Sequence, residues 1–176
     1  LDYSAINQQN LNVRLNLNID GVTHTIYVPI DVVAGDINVI DVSDYDISVG
    51  EVNDLYLTVR NDGQIPMENL IFQLLPYENL VTVPSSITNL AQINQGQEQV
   101  IGPFQINVSD EAIKGSILPM ILEISSTDGL EQNKLISLQL GRVGERDPLG
   151  PDAYGYYIYD NNDSSYDLAP TYDWIE

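Results

Sequence analysis

The chain has 176 residues, enough for one domain with extensions, and its 43% hydrophobic content is sufficient for a packed core. Its 26 acidic and 6 basic side chains give a net charge of -20, which disfavours nucleic acid and anionic membrane surfaces as partners. Cations, calcium above all, are the better electrostatic match, or the acidity serves only solubility in an extracellular or saline setting.

Cysteine is absent, which excludes disulfides, thiolate nucleophiles and thiolate metal sites. A secreted protein of a Gram-negative bacterium can do without disulfides, so the absence does not indicate the cytoplasm. No run of 18 apolar residues occurs, so no membrane-spanning helix is predicted. The chain begins with "LDYSAINQQN" and no Met, and we expect a mature or excised part of something longer.

The first predicted element is a β-hairpin. "LNVRLNLNID" alternates apolar and polar residues with the period of a half-buried strand, and Asp20-Gly21 predicts a tight turn. The return strand carries a second apolar row. The two rows consist of Leu11, Val13, Leu15, Leu17 and Ile19, then Val22, Ile26, Val28 and Ile30, with His24 in the second row.

A series of short strands follows. One is predicted near Ile37 to Val42, and the next alternates Leu55, Leu57 and Val59 before "NDG" ends it. The pattern of short strands continues in "MENLIFQLLP", "LVTVPSSITNLAQINQGQEQ" and "IGPFQINVSD". A last hairpin, turning at Asp128-Gly129, is predicted in "SILPMILEISSTDGLEQNKLISLQLG". The one helix candidate, "SDEAIKG" at 109–115, amounts to about one turn.

Many short strands with regular turn signals predict an all-β fold: an Ig-like antiparallel β-sandwich. We expect three parts. Residues 1–33 form the N-terminal hairpin segment, either the end of a preceding module or an assembly strand. Residues 34–141 form the sandwich, and 142–176 form a Tyr/Asp-rich C-terminal extension or linker strand.

The extension is rich in tyrosine, with six of the chain's 11 tyrosines between positions 154 and 172. Alternation predicts one short strand with two aromatic faces. Tyrosine and tryptophan offer rigid contact area, so the candidate interaction residues are Tyr154, Tyr156, Tyr157, Tyr159 and Trp174. They either pack on their own fold or between subunits, which we favour, or they bind a polysaccharide.

The extension also carries closely spaced oxygen donors, the ligands that Ca²⁺ prefers. The candidate calcium ligands are Asp152, Asp160, Asn162, Asp163 and Asp167, with Asn161 beside them. Their order is not that of an EF-hand loop, which needs a central Gly and a final Glu. The alternative is that these residues form Asx turns in solvated loops. A weaker cluster consists of Asp41, Asp44 and Asp46.

No catalytic constellation is apparent. Nucleophilic catalysis needs a nucleophile, a base and an orienting group, whereas this chain has no cysteine and one histidine, His24. We expect that histidine to pack on the inward row of the hairpin. The prediction is a protein that is not an enzyme.

The segment "INVIDVSDYDISVGEVNDLYLTVRNDGQIPMENLIFQL" resembles the CARDB-type Ig-like modules repeated in large secreted bacterial proteins. Gly50-Glu51, the strand at 55–60 and "NDG" fit that pattern, while Ser48-Val49 replace its usual Asn-Pro. The tail "GPDAYGYYIYDNNDSSYDLAPTYDWIE" resembles a linker downstream of such modules in Bacteroidetes-type and Cloacimonetes-type proteins, including gingipain-like cysteine peptidases.

The resemblance implies an extracellular or cell-surface structural or adhesion module whose partners are other protein modules or copies of itself. Unpaired edges on the hairpin and on the Tyr-rich segment predict strand pairing, and head-to-tail exchange would build a filament. The alternatives are an accessory, non-catalytic domain of a gingipain-like peptidase and a carbohydrate-binding module.

Overall fold

The computed structural model describes residues 10–43, 47–127 and 129–171, and it forms an all-β fold of antiparallel sheets with no helix in these ranges. None of these residues therefore forms a helix that could cross a membrane. The strands are β1 (Asn10–Ile19), β2 (Val22–Asp31), β3 (Ile37–Val42), β4 (Val52–Asn61), β5 (Met67–Pro76), β6 (Val81–Ser85), β7 (Ile87–Ile93), β8 (Glu98–Val108), β9 (Ile117–Ser126) and β10 (Glu131–Gln139).

Two four-stranded sheets make the sandwich, in the orders β3-β4-β8-β6 and β10-β9-β5-β7. In an Ig-like sandwich the sheets contain strands ABED and CFG. The first sheet has β3, β4, β8 and β6 in the ABED positions. The second sheet has β5, β9 and β10 in the C, F and G positions, and β7 is an additional strand beside C. The Ig-like arrangement predicted from the sequence is therefore confirmed.

Strands β6 and β7 are two halves of one edge segment that changes sheets. Residues up to Ser85 pair with β8, and from Ile87 onward the chain pairs with β5. Ser86 lies at the crossing, where its carbonyl accepts a hydrogen bond from the Leu74 N–H at 2.8 Å. Pro84 fits at an edge because it has no N–H to leave unpaired there.

The core lies between the two sheets and follows the alternation in the sequence. Leu55, Leu57 and Val59 point inward from β4, and Phe104 and Ile106 from β8; all five are fully buried. The facing sheet contributes Leu70, Phe72, Leu74, Met120, Leu122, Ile136 and Leu138. Burial of these apolar side chains is the main stabilising contribution to the sandwich.

The "NDG" segment after β4 is built around a buried polar side chain. Asn61 accepts a hydrogen bond from the Gly63 N–H at 3.0 Å and donates to the carbonyl of Ile65 at 2.8 Å. Position 63 has no room for a side chain, because a Cβ there would lie 2.5 Å from the Ala34 carbonyl oxygen and from the Asp36 nitrogen, so only glycine fits. The turn predicted here is confirmed.

Two local predictions are wrong. Residues 109–115 form successive hydrogen-bonded turns instead of a helical turn, with the Ser109 hydroxyl accepting from the Glu111 N–H at 3.2 Å. Residues 154–159 form no strand; Leu149 and Ile158 make an isolated bridge. In both segments side-chain hydrogen bonds to the backbone compete with regular structure.

Candidate functional site

The N-terminal hairpin has the clearest functional geometry. Asp20 (φ 51°) and Gly21 (φ 83°) both lie in the left-handed region, as a type I′ hairpin turn requires. That turn sets the register, so that Leu15 pairs with Ile26 and Leu17 with His24. The sequence prediction of this hairpin is confirmed.

Both faces of the hairpin are open to solvent, although one face is apolar except for His24. Of its 20 strand residues all but Leu11 are exposed, so the expectation of half-buried strands is wrong. We define the hairpin face as the eight apolar side chains that are each 37–57% exposed on one side: Val13, Leu15, Leu17, Ile19, Val22, Ile26, Val28 and Ile30. The opposite side is largely polar, with Tyr27 its one large aromatic.

The histidine of the hairpin does not pack as expected. His24 lies in the apolar row opposite Leu17, as predicted, but it is exposed. The outer edges of β1 and β2 pair with no other strand in the described part of the chain. The hairpin therefore offers an apolar face and two free backbone edges.

The C-terminal extension folds back onto one end of the sandwich. The hydroxyls of Tyr157 and Ser116 lie 2.6 Å apart, and the Tyr166 hydroxyl donates to Asp147 Oδ1 at 2.6 Å. Lys114 Nζ lies 3.6 Å from the same carboxylate oxygen. The Tyr157–Ser116 and Asp147–Lys114 contacts dock the extension against the 109–116 loop, and the Tyr166–Asp147 hydrogen bond joins two parts of the extension to each other.

Burial and hydrogen bonding in the extension shift the pKa of two side chains, Asp147 and Tyr166. Burial raises the pKa of Asp147, but hydrogen bonds from Tyr166 and the Gly144 N–H, with the charge of Lys114, outweigh it, so the pKa is lowered. Burial, followed by the hydrogen bond to Asp147, raises the pKa of Tyr166 far above its usual range. The pair is therefore most stable as a carboxylate with a neutral phenol.

The predicted interaction tyrosines separate into two groups. Tyr157 and Tyr159 are partly buried, and Tyr159 stacks edge to face on Tyr166 with ring centroids 6.3 Å apart. Tyr154 and Tyr156 are 85% and 71% exposed. Trp174 lies outside the described residues.

Three of the predicted calcium ligands, Asp152, Asp160 and Asp163, accept hydrogen bonds from backbone N–H groups close to them in sequence. Asp152 Oδ1 accepts from Tyr154 and Tyr156, Asp160 Oδ1 from Asn162, and Asp163 Oδ2 from Asp160 at 2.6 Å. Within the described ranges, no three Asp, Glu or His side chains converge as a metal site would need. The Asx-turn alternative accounts for these contacts, and calcium binding stays a prediction. Asp44 and Asp46 of the weaker cluster lie outside the described residues.

A cleft of about 350 Å³ lies between the extension and the 109–113 loop. Tyr159 and Tyr166 line it together with Asp110, Glu111 and Asp167. The Tyr159 hydroxyl is buried without a hydrogen-bond partner. Burial, the Tyr157 phenol and the Asp163 carboxylate raise the pKa of Tyr159, so this phenol stays neutral.

Sequence reasoning missed the residues that dock the extension. No sequence pattern points to Asp147, Ser116 or Lys114, and Tyr166 stands out only as part of a tyrosine-rich segment. Their signal is weak because Tyr166 and Asp147 are 19 positions apart and follow no periodicity. The abundance of tyrosine and aspartate in the extension is the one sequence feature that points to these contacts.

Neither a scan against models of known protein families nor a search of curated proteins finds a match for this chain.

Proposed function

We propose that this chain is a non-enzymatic, extracellular structural or adhesion module that acts through β-strand pairing and docking, and that it serves as a subunit of a filament or surface assembly. The observation that carries the proposal is the hairpin, which presents an apolar face and two free edges. The predicted partners are other protein modules or further copies of the chain.

The physical support is that such a hairpin is incomplete by itself. An isolated two-stranded hairpin is marginally stable in water, and contiguous exposed apolar surface marks interaction sites. Free edges accept a further strand, because each exposes unpaired N–H and C=O groups. A partner that covers the face or extends an edge therefore stabilises both itself and the hairpin.

Light scattering and negative-stain electron microscopy of the purified chain, over a wide range of concentrations with and without Ca²⁺, test the proposal. We expect the mass to rise with concentration and ordered oligomers or filaments to become visible. A particle that stays monomeric at every concentration in both conditions contradicts the assembly function.

Carbohydrate binding is a second candidate, favoured by the exposure of Tyr154 and Tyr156. Two exposed aromatic rings close in sequence can stack on sugar rings. A glycan array followed by a tyrosine fluorescence titration should show binding that Tyr154→Ala/Tyr156→Ala removes and Tyr77→Ala, at a comparably exposed tyrosine on the sandwich, retains. No signal on the array rules this candidate out. The accessory role beside a gingipain-like peptidase stays a prediction, which a Cys/His peptidase domain in the same gene would support.

A further inference from the structure

We propose that the hairpin face binds the same face of a second copy of this chain, so that two hairpins stack into a small two-fold symmetric sandwich. The inference rests on the proposed assembly function and names the occupant of its main surface. Three features of the described residues support a second copy: the chemistry of the face, its size and its charge.

The face is self-complementary in chemistry. Together with Leu11 and His24, its eight side chains form five cross-strand rungs, from Leu11–Ile30 at the open end to Ile19–Val22 at the turn, so that nine of the ten side chains are aliphatic. Two such sheets pack about 10 Å apart with interdigitating side chains, as in any β-sandwich. The tenth side chain, His24, is the one polar group on this side of the hairpin.

The size of the face is that of a standard interface. Its eight residues, each 37–57% exposed, present on the order of 700 Å² to solvent, backbone included. This area is of the same order as the roughly 300–600 Å² of the largest patch on a typical monomer and the roughly 800 Å² that each partner buries in a stable complex.

Charge also favours this surface for contact between like chains. Two copies each carry a net charge of -20 and repel one another. The hairpin has one base, Arg14, and two acids, Asp20 and Asp31, so its net charge is -1 and the remaining residues carry -19. Contact through the hairpin therefore brings together residues that carry only -1 of the -20 on each chain.

A two-fold contact fixes which residues meet. The central rung is Leu15–Ile26, the third of five. A two-fold axis that lies between the two faces, over this rung, places Leu15 and Ile26 of one chain against the same rung of the second copy. Such a contact closes at two chains. The edges of β1 and β2 remain free in the pair, so filament growth would proceed through them.

The absence of native cysteine allows a direct test. Leu15→Cys places a thiol on the hairpin face, and Thr23→Cys places a matched exposed thiol on the opposite side of β2. Each full-length variant is treated with a short bis-maleimide over a range of concentrations, and crosslinked dimer is quantified by denaturing electrophoresis. We expect at least tenfold more dimer from Leu15→Cys than from Thr23→Cys.

Equal crosslinking of both variants, or none of either, overturns the inference. If the wild-type chain assembles in light scattering while Leu15→Cys does not crosslink preferentially, assembly uses another surface, so the proposed function stands and the face-to-face pair is wrong. If the wild-type chain never assembles, both are wrong. Circular dichroism of each variant confirms that the sheets are retained.

Discussion

Asn61 is a polar side chain in the core of the sandwich whose amide is hydrogen-bonded at both its oxygen and its nitrogen. It is fully buried, and its amide accepts from Gly63 and, at 3.5 Å, from Asp36, while it donates to Ile65 and Ile93. Asn61→Ala leaves these backbone groups without partners, which costs about 1–3 kcal/mol. Chemical denaturation should show this loss, whereas Asn89→Ala on the exposed side of β7 should change stability by less than about 0.5 kcal/mol. Similar values for the two variants would contradict the role of Asn61.

The Tyr166–Asp147 hydrogen bond makes the stability of the folded extension pH-dependent. Because the pKa of Asp147 is lowered in the folded state, its contribution is present above the unfolded value, near 4, and is lost as the pH falls through the lowered folded value. Because the pKa of Tyr166 is raised, its contribution is present below about 10 and is lost at higher pH.

Tyr166→Phe keeps the ring but removes the donor, so we expect a loss of roughly 1–3 kcal/mol at neutral pH. Chemical denaturation of the wild type and of Tyr166→Phe between pH 7 and pH 2 should show that the difference in their free energies of unfolding shrinks as the pH falls below about 4. A constant difference across this range would show that the hydrogen bond to the Asp147 carboxylate does not stabilise the folded extension.

At the scale of elements, Gln132 joins the first strand of one sheet to the last strand of the other. Its Oε1 accepts from the buried Ile37 N–H at 3.0 Å, and its Nε2 donates to Asp36, which Lys134 also contacts at 3.3 Å. Gln132→Ala leaves the Ile37 N–H unpaired, so we expect a loss of about 1–3 kcal/mol in denaturation. Asn133→Ala, one position along and exposed, is the matched control. Equal effects of the two would contradict this link.

The strands of the sandwich could be predicted because alternation with period two and Gly, Pro and Asn-Asp turns are local signals. The exposure of the hairpin could not be predicted, because the same alternation occurs in a strand that packs on a core and in a strand whose apolar face is open to solvent. The calcium prediction used residue types alone and stays a prediction; in the structure the Asp152 and Asp163 carboxylates each accept a hydrogen bond from a nearby backbone N–H group. The fold of the extension depends on contacts such as Tyr157–Ser116, 41 positions apart, which no local pattern encodes.

For the whole molecule, repulsion between two chains of charge -20 opposes any assembly. Salt screens this repulsion, so we expect the association of the wild-type chain to tighten as NaCl is raised from low to physiological ionic strength. Sedimentation velocity at each salt concentration measures it. A parallel series in CaCl₂ at equal ionic strength separates screening from calcium binding, because a bound cation strengthens association beyond the NaCl value. Association that weakens with salt would contradict an apolar contact.

The central claim, that the hairpin is an assembly surface, is tested most directly by hydrogen–deuterium exchange of the full chain at increasing protein concentration. We predict that exchange of the amides in β1 and β2 slows with concentration while exchange in the central strands β4 and β8 does not change, because only the hairpin gains a partner. Hairpin exchange that is the same at every concentration, in a sample whose mass does rise, would contradict the claim.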